Sequence, residues 1–285
     1  MNYYYFKYLV GEYIYSCDMM RFKLDFRQDE IANVVTTFDS YMRLDVKNYP
    51  LCTQKFRFRN FVVIDYNYST LELGIGFNGI GTDCMFEGFV QFNPNKCFQN
   101  EQCLQDLKLI FSSCWSVDLL RWDFAIDIPV ERYRVKLVKD SRRFQCVRNS
   151  AEDYTEYLGV RSHLGFVKVY NKKLESDLLH DLTRVEITMP DLLISGEDFS
   201  KHFPTVYIQR LQNEMEFGIS SLSDTDKVLV ELLQTVQNPD YYIKRLGRGK
   251  REKLEKYIYA DCDKLEINVA ILFQLYNDYK SLLGF

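Results

Sequence analysis

The sequence is poor in the residues that most often announce a chemistry. It has three histidines, His163, His180 and His202, and none stands in a His-x-His or His-Glu-x-x-His spacing. That sets aside the ordinary histidine-ligated metal sites. Eight cysteines lie scattered at positions 17, 52, 84, 97, 103, 114, 146 and 262, with no Cys-x-x-Cys pair. In a cytosolic chain they read as reduced, mostly buried small hydrophobes, and no structural zinc site is expected. No apolar run approaches the ~18 residues that span a bilayer, and the opening Met-Asn-Tyr-Tyr-Tyr-Phe lacks a basic region followed by an aliphatic one. The expectation is a cytoplasmic protein with no membrane partner. No Gly-x-x-x-x-Gly-Lys-Ser/Thr loop exists, so ATP hydrolysis is not expected. Gly74-Ile75-Gly76-Phe77-Asn78-Gly79 fits Gly-x-Gly-x-x-Gly in letters, but residues 80–86 do not open the amphipathic helix a dinucleotide site needs. The sequence predicts a glycine-rich turn between strands there.

What is present is a core. Hydrophobic residues make up 47% of the 285, enough for one large domain or two modest ones. The 42 Tyr and Phe residues are mostly core filling, with some available to stack on unpaired bases. A net charge of −4 argues against non-specific coating of nucleic acid, yet the charge is uneven. Between Glu131 and Arg148 there are seven Lys/Arg against two acids, and between Pro239 and Lys256 seven against three. Such stretches suit either a confined phosphate-binding track or solvated faces.

Arg21 to Phe26 alternates as a strand does, and Ile31, Val34, Val35 and Phe38 then take helical spacing. Phe86 to Phe92 reads as strand, Asn93-Pro94-Asn95 breaks it, Leu104, Leu107, Ile110 and Cys114 predict a helix, and Arg121 to Ile128 a further strand. Strand and helix alternating twice is compatible with a weak internal duplication. Pro190 to Pro204 reads as a connection, and beyond it every strong pattern is helical. Ser223-Asp224-Thr225-Asp226 predicts a helix cap, and a last helix is expected from about Leu265 towards Leu283. The expected fold is α+β: a mixed, largely antiparallel sheet core with flanking helices in residues 1–190, then a smaller helical region in 191–285.

Alternation puts Trp122, Phe124 and Ile126 on one face of a strand and Asp123, Ala125 and Asp127 on the other. From Thr183 to Met189, Val185, Ile187 and Met189 oppose Arg184, Glu186 and Thr188; from Phe166 to Tyr170, Val167 and Val169 oppose Lys168 and Tyr170. Each strand has one apolar face and one carrying acid, base or phenol. Neighbouring strands would join these polar faces into one patch; otherwise each polar face meets water. Carboxylates without histidine suit Mg²⁺ or Mn²⁺. A tyrosine beside cations, Tyr170 before Asn171, Lys172 and Lys173, suits nucleophilic attack on a phosphodiester.

These motifs resemble the Rep-trans family, the nicking replication initiators of rolling-circle plasmids, across about residues 86 to 190. The matching stretches are Phe92-Asn93-Pro94-Asn95-Lys96, Asp123-Phe124-Ala125-Ile126-Asp127, Tyr157-Leu158-Gly159-Val160-Arg161-Ser162 leading to Val169-Tyr170-Asn171-Lys172-Lys173, and Arg184-Val185-Glu186-Ile187. The resemblance implies that Tyr170 attacks an origin phosphate, becomes 5′-phosphotyrosyl-linked and frees a 3′-hydroxyl primer. It implies a Mg²⁺ or Mn²⁺ ion on Asp123, Asp127 and Glu186, phosphate contacts from Lys168, Lys172 or Lys173, and a neighbouring phosphate on Arg161. Gln91 stands where the family commonly carries an acid, with Glu87 on the same strand face as a substitute. The implied partners are double-stranded origin DNA with a single-stranded or extruded nick site, a host helicase, a DNA polymerase and a second copy of the chain.

Gly247 and Gly249, flanked by Lys244, Arg245, Arg248, Lys250 and Arg251, precede a helical pattern. A glycine turn bearing arginines can reach base edges or phosphates, and it resembles the family's origin-recognition segment. Three other readings stand beside replication: a conjugative relaxase of the same fold, an origin-binding regulator without catalysis, and a metal-dependent nuclease acting through water.

Overall fold

The computed structural model describes residues 7–42, 60–66, 69–78, 85–150, 153–161, 163, 165–189, 203–209, 222–236, 242–258 and 262–284. The fold is α+β, built on a large antiparallel sheet with flanking helices. The strands are β1 (Tyr8–Val10), β2 (Tyr13–Phe26), β3 (Asn60–Asp65), β4 (Thr70–Asn78), β5 (Met85–Phe92), β6 (Cys114–Ile128), β7 (Val135–Leu137), β8 (Phe144–Arg148), β9 (Tyr154–Leu158), β10 (Val167–Asn171), β11 (Thr183–Met189), β12 (Val206–Gln209) and β13 (Cys262–Lys264). The helices are α1 (Ile31–Met42), α2 (Pro94–Cys97), α3 (Glu101–Ser112), α4 (Lys172–Glu175), α5 (Asp224–Thr235), α6 (Arg248–Ile258) and α7 (Val269–Leu283).

Packing divides the chain into one unit of residues 1–126, 186–198 and 269–285 and a second of 127–185 and 199–268. The division falls within β6 and β11, whereas composition placed it at 190/191. In the first unit the strand order is β3-β4-β5-β2-β6-β11, with β1 on β2. One face carries Leu71, Leu73 and Ile75 on β4, Val90 and Phe92 on β5, and Met20, Phe22 and Leu24 on β2, all buried. Against this apolar face the helices supply Val34 and Phe38 of α1, Leu107 and Phe111 of α3, and Leu272, Leu275 and Tyr276 of α7, also buried. Phe22 meets Phe111 edge-on with ring centroids 5.1 Å apart, and Trp122 meets Tyr276 at 6.1 Å. Asn100 starts α3 by accepting from the Cys103 N–H at 2.9 Å.

In the second unit the order is β6-β11-β10-β9-β8, and β13-β12-β7 forms a separate small sheet. Helices α5 and α6 close their own core of Leu222, Val230, Leu233, Ile243, Leu254 and Ile258. Ser223 caps α5 as its position predicts, accepting from the Asp226 N–H at 3.3 Å.

Five expectations change. The helix predicted as far as Cys114 ends at Ser112, and the strand predicted from Arg121 begins at Cys114. Cys114 is buried at the start of the strand, and its apolar side chain fits the helical spacing as well as the extended one. Gly74 and Gly76 form no turn: both lie inside β4, paired with Phe89 and Glu87 of β5, while Gly79 lies outside the described residues. A Cβ on Gly74 would sit 2.4 Å from the Phe89 ring, so glycine there makes room for an aromatic neighbour. The C-terminal region is not purely helical, because β12 and β13 pair with each other and β12 pairs with β7. The Leu265 N–H continues that pairing to Val206 O at 2.9 Å, which delays the last helix to Val269. Residues 190–202 of the expected connection lie outside the described residues.

Candidate functional site

Tyr170 stands on β10, on the face opposite the buried Val167 and Val169, as alternation predicts. Its phenol is buried rather than open, at 4% exposure, and two ammonium groups approach the ring. Lys168 Nζ lies 3.8 Å from the ring centroid and Lys172 Nζ 5.8 Å. The following residues hold Lys172 there. Asn171 ends the strand with an extended backbone and caps α4, its side chain accepting from the Leu174 N–H at 3.2 Å. The N–H groups of Lys172 and Lys173 both donate to Leu182 O, which ties this turn to the chain entering β11. Lys172 also bonds Glu175, and Lys173 bonds Asp181 at 2.9 Å. Burial pushes the Glu175 carboxyl up, but hydrogen bonds from Lys172 and Ser176 and the charges of Lys172 and Arg184 outweigh it and hold it below its usual value. In the Tyr-Asn-Lys-Lys run the phenol is thus followed by a cap that turns Lys172 back toward its ring.

Arg161 lies exposed on the turn between β9 and β10; Ser162 lies outside the described residues. Gly159 opens that turn at φ 95°, a conformation that suits glycine alone among common residues. Its N–H donates to Arg143 O at 2.8 Å.

Asp123 and Asp127 both lie buried on β6. Asp127 receives Arg184 Nε at 2.6 Å and Nη2 at 2.8 Å, with both side chains 5% exposed. Asp123 receives Arg121 Nε at 2.9 Å and Nη2 at 2.7 Å, plus the Thr188 hydroxyl at 2.9 Å. The 127–184 and 123–188 bonds step along β6 and β11 in opposite directions, as antiparallel neighbours do. On that spacing half-buried Glu186 falls across from Ala125, whose methyl leaves it room. Arg121, Arg184 and Thr188 are the residues that sequence reasoning left out of the site. Alternation already set Arg184 and Thr188 on the face of Glu186, but their partners lie 57 and 65 residues away.

The four residues that the resemblance names for Mg²⁺ or Mn²⁺ do not converge on one point. Asp123 and Asp127 stand four steps apart along one strand, about 13 Å, too far for both to ligate one ion at ~2 Å. Both oxygens of Asp127 accept from a buried arginine. Gln91 pairs with Arg21 of β2. The Arg27 N–H donates to Ser113 O at 2.9 Å and the Cys17 thiol meets the Asp123 backbone, so β2 and β6 run antiparallel with Cys17 across from Asp123. Arg21 is four residues from Cys17, which puts Gln91 a further ~13 Å along the sheet from Asp123, and Glu87, paired with Asp25, farther still. Among the described residues no three His, Cys, Asp or Glu side chains group closely enough to hold an ion. The expected ligand set does not fit a shared metal ion.

The basic C-terminal residues lie elsewhere in the second unit. Lys244, Arg245, Arg248 and Lys250 are exposed and Arg251 half-buried. Helix α6 runs through Gly249, so the expected glycine turn shortens to the residues before Arg248. Lys250 and Lys253 both reach Asp226, at 3.4 and 2.8 Å, fastening α6 to α5. Arg248, its side chain 85% exposed, pairs along the helix with Glu252. No helix among the described residues is long and apolar enough to cross a membrane.

No family model and no curated protein matches this chain. Among solved structures it is similar to a rolling circle replication initiator protein from Geobacillus stearothermophilus, at 13% identity over 86% of this chain and 96% of that one, with a TM-score of 0.34. At that identity and score the likeness assigns neither a family nor a function.

Proposed function

We propose that the chain is a plasmid rolling-circle replication initiator that nicks and rejoins origin DNA through a phosphotyrosine on Tyr170. The observation that carries this reading is the phenol at the end of β10 with Lys168 and Lys172 over its ring, in a turn built by Asn171. The resemblance of the Gly-Val-Arg-Ser and Tyr-Asn-Lys-Lys stretches supports it.

In the proposed reaction a phosphodiester draws the two ammonium groups toward its oxygens and uncovers the phenol. The phenol loses its proton to solvent. The phenolate lone pair forms the phosphorus–Oη bond as the phosphorus–O3′ bond breaks. Its electron pair leaves on O3′, which takes a proton and becomes the primer hydroxyl. Lys168 and Lys172 meet the charge gathering on the phosphoryl oxygens. Rejoining is the same exchange reversed. Strand separation falls to a partner helicase, and Lys244, Arg245, Arg248, Lys250 and Arg251 are the proposed origin contacts, with Lys250 weakened by Asp226.

A second reading, an origin-binding regulator without chemistry, draws on the burial of Tyr170 and on the arginines that fill both aspartates. Covalent capture separates the two. Wild type and Tyr170→Phe are incubated with supercoiled plasmid carrying this gene and its flanking DNA, with Mg²⁺, with Mn²⁺ and with a chelator, then digested and examined for phosphotyrosine. An adduct that the substitution abolishes, a loss of at least about a hundredfold, is expected. Tight binding with no nick and no adduct overturns nicking in favour of the regulator.

A further inference from the structure

The face of the second unit that carries Tyr170 also carries a stacked aromatic pair. In the β9–β10 register Lys168 is opposite Tyr157, so Tyr157 shares the face of Lys168 and Tyr170. Phe166 precedes Lys168 by two residues and shares it too. The Tyr157 and Phe166 rings lie 5.9 Å apart and 18° from parallel, and both residues are half-buried. They do not fill the core, which lies under the opposite face: there Tyr154, Glu156 and Leu158 are buried and Arg132 bonds Glu156. Beyond Tyr157, Gln145 of β8 is directly opposite and exposed. Arg143 and Arg161, also exposed, sit at the turn where Gly159 bonds the Arg143 carbonyl. Along this run Phe166, Lys168 and Tyr170 stand at two-residue intervals, about 7 Å apart.

We propose that the Tyr157–Phe166 stack is a base platform for single-stranded DNA, seating the nucleotide beside the phosphate that Tyr170 attacks. This rests on the reading of Tyr170 as nucleophile. An aromatic pair accepts any base, because every base has a π-face, while flanking cations follow the backbone. Lys168, between platform and nucleophile, takes the phosphate that joins the stacked base to the scissile position, and Arg161 takes the phosphate on the far side. The platform gives the nicking residue a preference for unpaired DNA, whatever the sequence read by the basic C-terminal segment.

The test is fluorescence anisotropy on the full chain with labelled oligodeoxythymidylate and with an abasic oligomer of the same length and charge. Wild type should bind the oligothymidylate roughly fivefold more tightly or better, the low end for one stacked base. Tyr157→Ala should remove that preference without changing affinity for the abasic oligomer, and Tyr157→Trp should keep it. Equal binding of the two oligomers by wild type overturns the platform and leaves a phosphate-only surface. The Tyr170 adduct is scored separately. An adduct without base preference sinks the platform and spares nicking, whereas base preference without an adduct sinks nicking and supports the platform as a strand-binding surface.

Discussion

Asp123 and Asp127 of β6 are each paired with an arginine, and the surroundings of the two pairs differ more than their geometry. Arg121 and Asp123 are two residues apart on one strand, same-face neighbours, and the Arg121 side chain keeps 31% of its exposure. Arg184 and Asp127 come from strands 57 residues apart, and both side chains are 5% exposed. Both are bidentate, with closely similar distances. The first arginine can leave for water at little cost, while the second has no water to go to. By distance the two pairs are alike; burial separates them.

The sharpest test of this contrast is Arg184→Ala, which strands the Asp127 charge in a buried place. It should lower unfolding free energy by about 3–5 kcal/mol, read from urea denaturation. A loss below about 1 kcal/mol would mean that water reaches Asp127 and that the pairs are alike. Thr188→Val comes next. It removes a neutral donor from buried Asp123 without changing side-chain size, and about 2 kcal/mol is expected, the usual worth of a hydrogen bond to a charged group. Arg121→Ala should cost least, about 1 kcal/mol or less, shrinking further in high salt, because solvent and Thr188 still serve the carboxylate. If it exceeds the loss for Arg184→Ala, the comparison is wrong in its central point. The order of the three matters more than any single value.

Much of the site was readable along the chain. Alternation alone set Tyr170 with Lys168, Asp123 with Asp127, and Glu186 with Arg184 and Thr188, and burial in the fold respects every apolar face so assigned. It could not show that two aspartates at i and i+4 of an extended strand stand too far apart for one ion until the strand was known to run unbroken through both. Gln91 and Glu87 are a similar case. They lie on a real strand, but β2 separates it from β6, and the register carries them along the sheet, away from Asp123.

By itself the sequence determined local periodicity: which face of the strands and helices it picked out is apolar, and where Ser223 caps. These depend on a few neighbouring residues and on backbone geometry. Only the tertiary structure decided partners. That Asp127 meets Arg184, that Gly74 yields space to Phe89, that β12 joins β7, and that Tyr170 lies under its lysines instead of in water all depend on strand order, register and packing. Those are set by burial summed over residues far apart in the chain, and no local pattern contains that sum.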